Sequence, residues 1–346
     1  MESPYQRIDA LKWVLEQVDP YHLGAPVVFL GAVPHPILSL FPCEELYCYQ
    51  TLYTHAEQLE SAGYKINVPC EKPVQLVLVA GTKHKDYNDL LLQEALEIAN
   101  DQSQIYFALE QQLGGAALAK QARKTLQTER VYSKARSKVI QFDHQELFTF
   151  ISQSTRERAP TITYEDTIFS THPSLFSYRE IDRGSRLLIN YLERTPSLLT
   201  KGNGADLGCG WGLFGICLLR AHPQIEKVSF IDLERHALNS IEETLARYEL
   251  TERAALLWTD ARKFKAQGRR FDWIVSNLPY HQDGSTAYEL QAEIVERLPS
   301  LLKPGGEALL LWHHLAPRLA DSLWKRFKIS EIAEAQPPYY LIRICS

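Results

Sequence analysis

Short apolar strands alternate with amphipathic helices through the carboxyl-terminal half of this chain. After Thr200 the pattern predicts strands near 205–207, 227–232, 254–258, 271–277 and 307–312 and helices over 210–221, 234–248, 287–302 and 315–327. Because parallel neighbours need crossover connections, this alternation predicts a mainly parallel sheet with helices on both faces. Two last strands, 328–335 and 339–345, are joined through Pro337 and Pro338, and so short a turn makes that pair antiparallel.

The amino-terminal half shows a second alternation of this kind, from Pro26 to about Asp143. A chain of 346 residues exceeds the usual size of one hydrophobic core, so two domains are expected. We therefore predict an α/β protein of two tandem Rossmann-like domains, residues 1–150 and 176–346, joined by a polar linker over 151–175. Two α/β halves of similar size are consistent with an ancient duplication.

Composition restricts the class of protein. Apolar residues make up 45% and charged residues 23% of the chain, as in soluble globular proteins. No apolar run approaches the roughly 18 residues of a membrane span, and the first residues lack a basic region, so we expect a cytoplasmic protein without a membrane segment. The six cysteines are scattered without a CxxC pair, which predicts reduced thiols and no metal site.

Three glycines lie between a predicted strand and a predicted helix, in the sequence Ala205-Asp-Leu-Gly-Cys-Gly-Trp-Gly212. Glycine lets the backbone turn sharply and lets a ligand approach main-chain N–H groups at the helix start. Gly208, Gly210 and Gly212 are therefore candidate ligand-binding residues. An ordinary tight turn would explain them equally well.

An acid at the end of the next strand indicates an adenosine ligand. Asp232 can accept both ribose hydroxyls, and its alternative role is to cap the following helix. A dinucleotide fingerprint would place its third glycine where this chain has Leu213, so the spacing favours S-adenosylmethionine over NAD. Asp206 is then expected to orient the glycine loop or the methionine amine. Asp260 is expected either to meet the adenine edge or to cap the next segment.

A second motif, Ser276-Asn-Leu-Pro-Tyr280, follows an apolar strand at its carboxyl end, where open α/β sheets bind ligands. The exocyclic amine of a purine is a poor nucleophile because its lone pair is delocalised. A side-chain carbonyl from Asn277 and a main-chain carbonyl from Leu278 can accept its hydrogens and aim the lone pair at the sulfonium methyl group. Pro279 holds the Leu278 carbonyl outward, and Tyr280 can stack on a flipped base. A plain Asn/Pro turn is the alternative.

Both motifs lie within a longer resemblance. The chain is similar to the bacterial ribosomal RNA guanine-N2 methyltransferases in five segments: LFSYREIDRGSRLLINYL, ADLGCGWGLFGICLL, FDWIVSNLPYH, LLKPGGEALLL and YYLIRI. The resemblance covers most of residues 165–346 and implies a class I fold, a mainly parallel seven-stranded sheet with a terminal antiparallel hairpin. It implies transfer of a methyl group from S-adenosylmethionine to the N2 amine of a guanosine in ribosomal RNA, with small-subunit RNA favoured.

The family also implies roles for residues at matching positions. Its cofactor loop falls on Gly208, Gly210 and Gly212, its ribose acid on Asp232, and its catalytic turn on Asn277, Pro279 and Tyr280. Asn277 is counted among the cofactor contacts as well. Phe176 and Asp182 fall in the segment that family members place over the cofactor. The family's amino-terminal domain is a degenerate methyltransferase-like domain that serves in RNA binding or folding, and residues 26–143 here lack a G-x-G-x-G turn.

One departure concerns the base. The family has two prolines after the asparagine, whereas Leu278 stands first here, and an N-L-P-Y turn resembles the ribosomal RNA adenine dimethyltransferases. Those enzymes carry the catalytic domain first, so guanine is kept and adenine N6 is the alternative. A protein-glutamine N5-methyltransferase uses a similar turn but has a small helical leading domain. A non-catalytic RNA-binding module is disfavoured by the intact motif residues.

A basic segment of the first domain is the candidate RNA-binding surface. The net charge of −5 argues against wholesale nucleic-acid binding, so a local basic face is required. Seven basic residues stand against one acid in this segment: Lys120, Arg123, Lys124, Arg130, Lys134, Arg136 and Lys138. They can neutralise phosphates, while a solvated helix face is the common alternative. The expected partner is ribosomal RNA or a ribosomal subunit, and a monomer is favoured.

Overall fold

The computed structural model describes residues 5–18, 25–126, 130–152, 160–265, 270–278, 287–313 and 329–346. The chain divides into two compact units, Met1–Arg158 and Ala159–Ser346. Each unit builds a seven-stranded sheet of its own. Within the described ranges, no helix has the length and apolar character that a membrane crossing requires.

The first unit is an α/β layer structure. Its helices are α1 (Gln6–Val18), α2 (Tyr53–Ser61), α3 (Lys85–Ile98), α4 (Gly115–Leu126) and α5 (His144–Ile151). Its strands are β1 (Val27–Leu30), β2 (Leu46–Tyr49), β3 (Lys65–Ile66), β4 (Leu76–Ala80), β5 (Gln104–Glu110), β6 (Val131–Lys134) and β7 (Ser137–Asp143). The sheet order is β3-β2-β1-β4-β5-β7-β6, with β7 antiparallel to both neighbours.

The second unit begins with a two-stranded hairpin and continues as an α/β sheet. The hairpin strands are β8 (Thr161–Tyr164) and β9 (Thr167–Ser170). The sheet strands are β10 (Gly202–Leu207), β11 (Ile225–Asp232), β12 (Ala254–Trp258), β13 (Phe271–Asn277), β14 (Leu302–His313), β15 (Ile329–Gln336) and β16 (Tyr339–Cys345). The helices are α6 (Arg183–Arg194), α7 (Leu213–Ala221), α8 (Arg235–Arg247) and α9 (Ala287–Leu301).

The two sheets have the same topology. The second follows the order β12-β11-β10-β13-β14-β16-β15, which is the order of the first sheet strand for strand. In each, five parallel neighbours are followed by one reversed strand, β7 or β16, that pairs antiparallel on both sides. This arrangement confirms the predicted fold of two tandem Rossmann-like sheets and supports a duplication.

The predicted elements after Thr200 agree with the structure except at their ends. Helix α7 begins at Leu213 and not at Gly210, because the glycines before it have positive φ and cannot continue a right-handed helix. Strand β14 begins earlier than predicted, at Leu302. The helix predicted over 315–327 lies outside the described residues.

The expected linker over 151–175 needs correction. Its second part belongs to the second unit, because β8 and β9 pair as a hairpin there. Phe169 is fully buried against Trp211, and the main-chain N–H of Ser170 donates to Thr244 Oγ1 of α8 at 2.9 Å. The hairpin was not predicted because each of its strands is only four residues long, which is too short for a clear alternation of apolar and polar residues.

Helices cover both faces of the second sheet. Phe230 and Trp273 are buried on the face that holds leucines and isoleucines of α6, α7 and α8, while Trp312 is buried on the face of α9. Burial of each such side chain stabilises the fold by about 1.5–3 kcal/mol. The carboxyl ends of the parallel strands are thereby held at one rigid edge, on which the candidate site lies.

Candidate active site

The glycine loop folds back over the neighbouring strand. The main-chain N–H groups of Gly208 and Cys209 both donate to the carbonyl oxygen of Ile231, at 2.8 and 3.3 Å. The φ angles of Gly208, Gly210 and Gly212 are +65°, +52° and +85°, in the left-handed region that favours glycine. The loop therefore needs these glycines for its own geometry.

Asp232 ties this loop to the start of α8. Its Oδ2 accepts a hydrogen bond from the N–H of Gly210 at 2.8 Å, and its Oδ1 accepts one from the N–H of Glu234 at 2.9 Å. Burial raises the pKa of Asp232, and hydrogen bonds from the backbone of Glu234, Gly210 and Leu233 and from the Cys209 thiol act against that rise. Asp232 thus holds the loop, and its acceptance of ribose hydroxyls stays a prediction.

The space beside the loop fits a ligand that approaches the backbone. A Cβ added to Gly208 or Gly210 would meet no atom of the described residues within 4 Å. A Cβ on Gly212 would lie 2.7 Å from Cγ1 of Ile241. The first two glycines thus border open space and the third faces the core, so Gly208, Gly210 and Asp232 are the residues that would hold S-adenosylmethionine.

This difference predicts separate effects for two substitutions. Gly210→Ala is expected to lower stability by only about 1–2 kcal/mol, from the left-handed backbone, but to weaken S-adenosylmethionine binding at least tenfold, because its methyl group enters the open space. Gly212→Ala is expected to lower the unfolding free energy further, since its Cβ also meets Ile241. Urea unfolding and calorimetry measure the two quantities. Unchanged cofactor affinity in Gly210→Ala would contradict the assignment.

Asp206 lies beneath the loop. It is fully buried, and its Oδ2 accepts a hydrogen bond from the N–H of Gly215 in the first turn of α7 at 2.9 Å. Its Oδ1 has no hydrogen-bond partner among the described residues. Burial raises the pKa of Asp206 to about 8, and the nearby Asp232 adds to the rise. Asp206 therefore holds the start of α7, while its roles in orienting the glycine loop or the methionine amine stay predictions.

The raised pKa of Asp206 predicts a pH dependence of stability. The folded state holds this proton more tightly than the unfolded state, so its contribution is complete below about pH 4 and is lost as the pH rises through about 8. Asp206→Asn is expected to remove this loss. The unfolding free energy of the variant, relative to the wild type, should rise from pH 5 to pH 9, by at most about 1.4 kcal/mol per unit. If urea unfolding gave the same difference in unfolding free energy between Asp206→Asn and the wild type at every pH, the raised pKa of Asp206 would be refuted.

Asp260 is occupied by a neighbour. It is almost completely buried, its Oδ1 accepts the main-chain N–H of Arg262 at 2.9 Å, and the Arg262 guanidinium donates to both carboxylate oxygens at 2.7–3.0 Å. The structure thus shows the turn-capping role of Asp260. A contact with the adenine edge stays a prediction and requires Arg262 to move.

The amide of Asn277 lies at the carboxyl end of β13, one strand away from the glycine loop. Its Nδ2 donates to Oγ of Ser185 at 3.0 Å, and Ser276 Oγ donates to the carbonyl of Leu207 at 2.7 Å, which joins the ends of β13 and β10. Leu278 is buried, and its N–H donates to the carbonyl of Leu311 at 3.0 Å. Pro279 and Tyr280 lie outside the described residues.

Leu278 occupies the position at which the family pattern has its first proline. A proline at this position would have no N–H and would make the turn rigid through its ring. Here a hydrogen bond to β14 and a buried side chain fix the same position. The loss of the first proline is therefore offset by a hydrogen bond that only a non-proline residue can make.

The segment before α6 carries the two remaining expected residues. Asp182 is the N-cap of α6, and its Oδ1 accepts the N–H groups of Gly184 and Ser185 at 2.9 and 3.0 Å. Phe176 is 69% exposed, an unusual exposure for a phenylalanine. An exposed ring is consistent with a position over a ligand.

The first unit lacks the polar groups of this edge. The strand registers and the turn hydrogen bonds place Phe29 at the position that corresponds to Asp206, Gln50 at that of Asp232 and Ala80 at that of Asn277. Gln50 is buried and its amide donates to the carbonyl of Ala32. The first unit therefore keeps the sheet of the second without its binding groups.

The seven basic residues of the first unit do not form one uniform surface. Lys120, Arg123 and Lys124 are exposed on α4, whereas Lys134, Arg136 and Lys138 belong to the β6–β7 hairpin. The Lys134 ammonium lies 5.3 Å from the ring centre of Trp13. Arg130 forms ion pairs with Asp143 and Glu146. The charge available to a phosphate is therefore concentrated on α4 and on the hairpin.

Sequence reasoning missed Ser185 and Arg262 as partners of the site residues. Arg262 is two positions from Asp260, and a side chain that caps its own turn could have been recognised from that spacing. Ser185 lies far from Asn277 in sequence, and its contact depends on how α6 lies against the sheet. The available sequence signal was its place three residues after Asp182, a residue type that often caps a helix, although no helix was predicted there.

The fold and this edge of the second sheet define a methyltransferase that uses S-adenosylmethionine. A glycine loop after the first strand, an acid after the second and an amide after the fourth lie in the order that this class requires. Comparison with known proteins agrees with this class.

The methyltransferase small domain family matches residues 166–343, which is more than half of the chain. The chain belongs to this family. It is 24% identical over 291 residues to a protein of Pasteurella multocida named ribosomal RNA small subunit methyltransferase C, covering 84% of this chain and 85% of the relative. A protein of the same name from Haemophilus ducreyi is 29% identical over 264 residues, with 76% and 77% covered.

A solved structure shares the fold over nearly the whole chain. It is the T. thermophilus 16S rRNA N2 G1207 methyltransferase (RsmC) in complex with AdoMet and guanosine. The two match with a TM-score of 0.76 at 20% identity, covering 99% of this chain and 92% of the other. Both units, and not only the second, therefore occur together in a known fold.

Proposed function

We propose that this protein methylates the exocyclic N2 amine of a guanosine in small-subunit ribosomal RNA. The observation that carries the proposal is the position of the Asn277 amide, one strand from the glycine loop. Neighbouring strands are about 4.8 Å apart, so a methyl donor held by Gly208, Gly210 and Asp232 lies beside the amide. A base placed against that amide has its amine within reach of the donor.

The chain's own residues have simple tasks in this reaction. S-adenosylmethionine supplies the methyl group as a sulfonium. Asn277 Oδ1 accepts a hydrogen of the amine and turns the nitrogen lone pair toward the donor. The carbonyl of Leu278 is the second acceptor that we propose, and Tyr280 the stacking residue. The proton leaves after the nitrogen has become cationic and acidic, so no strong base is required.

The proposal of guanine N2 is supported by the relatives. The Pasteurella and Haemophilus relatives are named as small-subunit methyltransferases, and the T. thermophilus structure contains guanosine. Leu278, the departure from the family turn, is held in place by the hydrogen bond from its N–H to Leu311, and adenine N6 is therefore kept as an outcome of the test.

We further propose that the first unit, with α4 and the β6–β7 hairpin, contacts the RNA. Three exposed cations on one helix can neutralise phosphates without sequence preference. The first unit has Gln50 in place of the acid Asp232 and Ala80 in place of the amide of Asn277. We therefore propose no catalytic role for this unit. The protein would act in the cytoplasm and as a monomer.

The test is incubation of the protein and labelled S-adenosylmethionine with unmodified small subunits, large subunits and naked ribosomal RNA, followed by nucleoside analysis. We expect N2-methylguanosine in small-subunit RNA. Labelled methyladenosine would show that the acceptor base is adenine and not guanine. Label in protein would point to a glutamine acceptor. Absence of transfer to any of them would overturn the proposed function.

A further inference from the structure

The start of α6 contacts the candidate catalytic amide. Ser185 is 8% exposed, and its Oγ accepts a hydrogen bond from Nδ2 of Asn277 at 3.0 Å. Among the described residues, Ser185 is the hydrogen-bond partner of the Asn277 side chain. The two residues are 92 positions apart, so this contact links two otherwise separate elements of the site.

Two neighbours of Ser185 fix its place. Asp182 accepts the main-chain N–H of Ser185 at 3.0 Å and so sets the first turn of α6. Gly184 lets the helix approach the sheet, because a Cβ there would lie 2.7 Å from Cδ2 of Leu311 and 2.9 Å from Cε1 of Tyr339. The hydroxyl is therefore held against the strand end by a cap on one side and close packing on the other.

The chemistry of an amide gives this contact a consequence. One end of the Asn277 side chain donates hydrogen bonds and the other accepts them. Only the acceptor end can receive a hydrogen from an exocyclic amine. When Ser185 Oγ takes the donor end, Oδ1 is left for the substrate, and rotation of the amide would place Nδ2 against the amine and align donor with donor.

We propose that Ser185 is a positioning residue that holds the Asn277 amide with its oxygen toward the acceptor amine. The inference rests on the proposed function, because it concerns the same amide. Ser185 is an added residue whose hydrogen bonds, within the described part of the chain, go to Asp182 and Asn277 and not to the cofactor loop or Asp232. Its effect is therefore expected in the rate of methyl transfer and not in cofactor affinity.

The test compares Ser185→Ala with the wild type in single-turnover transfer from saturating S-adenosylmethionine to unmodified small subunits. We expect the rate to fall about tenfold, because a freely rotating amide spends less time in the productive orientation. Cofactor affinity by calorimetry should be unchanged. Ser185→Thr keeps the hydroxyl and should restore most of the rate.

A double-mutant cycle separates positioning from a structural role. In an Asn277→Ala background, Ser185→Ala should have no further effect, because the amide it positions is gone. Additive losses would overturn the proposal. A wild-type rate in Ser185→Ala would also overturn it. So would a Ser185→Thr variant that melts at the same temperature as the wild type but transfers methyl groups as slowly as Ser185→Ala. A higher rate in Ser185→Ala would mean that the hydroxyl binds the amide oxygen, and this result would overturn the proposal as well. Failure of the wild type itself to transfer methyl groups would instead reject the proposed function.

Discussion

Replacement of Asn277 by alanine is expected to slow methyl transfer about a hundredfold to a thousandfold. The affinity for S-adenosylmethionine should stay nearly unchanged if the amide serves the acceptor amine alone, whereas a comparable loss of affinity would support the cofactor contact that the sequence also predicts for Asn277. The amide oxygen is a fixed acceptor for an amine whose lone pair is otherwise delocalised. The glycine loop follows β10 and Asp232 ends β11, and the hydrogen bond that the Asn277 side chain makes within the described residues goes to Ser185 and to neither of them. Single-turnover transfer to small subunits measures the first effect, and calorimetry the second.

Asn203→Ala is the matched control for this experiment. Asn203 lies near the amino-terminal end of β10, at the opposite edge of the sheet, and its Nδ2 donates to Glu226. Its loss removes an asparagine side chain of the same size from the same sheet without touching the site. The rate of Asn203→Ala should equal that of the wild type, and an equal rate in Asn277→Ala would exclude the amide as a participant in the reaction.

The second sheet could be predicted because each of its signals is local. Apolar runs such as 271–277 and the positive-φ glycines of the loop depend on a few neighbouring residues. The mainly parallel pairing followed from the alternation of strands and helices, because parallel neighbours need crossover connections, whereas the strand order came from the structure. The hairpin of β8 and β9 has no such signal, since its stability comes from Phe169 and from contacts with α8.

The correspondence between the two halves could be predicted only in part. The two sheets have the same strand order, yet Phe29, Gln50 and Ala80 stand where the second sheet has Asp206, Asp232 and Asn277. A fold requires buried strands and turns and is indifferent to these side chains. Sequence patterns could therefore suggest two related halves, while the correspondence of residues required the register of the strands.

The contacts within the site were the least predictable part. Candidate residues were chosen by type and order, which does not say what else binds them. Asp260 turned out to be paired with Arg262, and Asn277 with Ser185. Each pairing depends on a rotamer or on the packing of a distant helix, and each changes what the candidate residue has free for a ligand.

Replacement of Asp232 by alanine is expected to weaken S-adenosylmethionine binding at least about a hundredfold. Two hydrogen bonds from ribose hydroxyls to a carboxylate contribute about 1.5–3 kcal/mol each, and a loss of about 1.4 kcal/mol lowers affinity tenfold. The variant also leaves the N–H groups of Gly210 and Glu234 without their acceptor, so the loop itself is less well held. Calorimetric titration with S-adenosylmethionine measures the affinity.

Asp272→Ala separates loss of the ligand contact from general destabilisation. Asp272 also accepts a main-chain N–H, from Asn203, and pairs with Lys303, but it lies at the opposite edge of the sheet. Its substitution should lower the unfolding free energy and leave cofactor affinity intact. If Asp272→Ala and Asp232→Ala weakened binding equally, the loss would come from the stability of the sheet, and the ribose role of Asp232 would have to be abandoned.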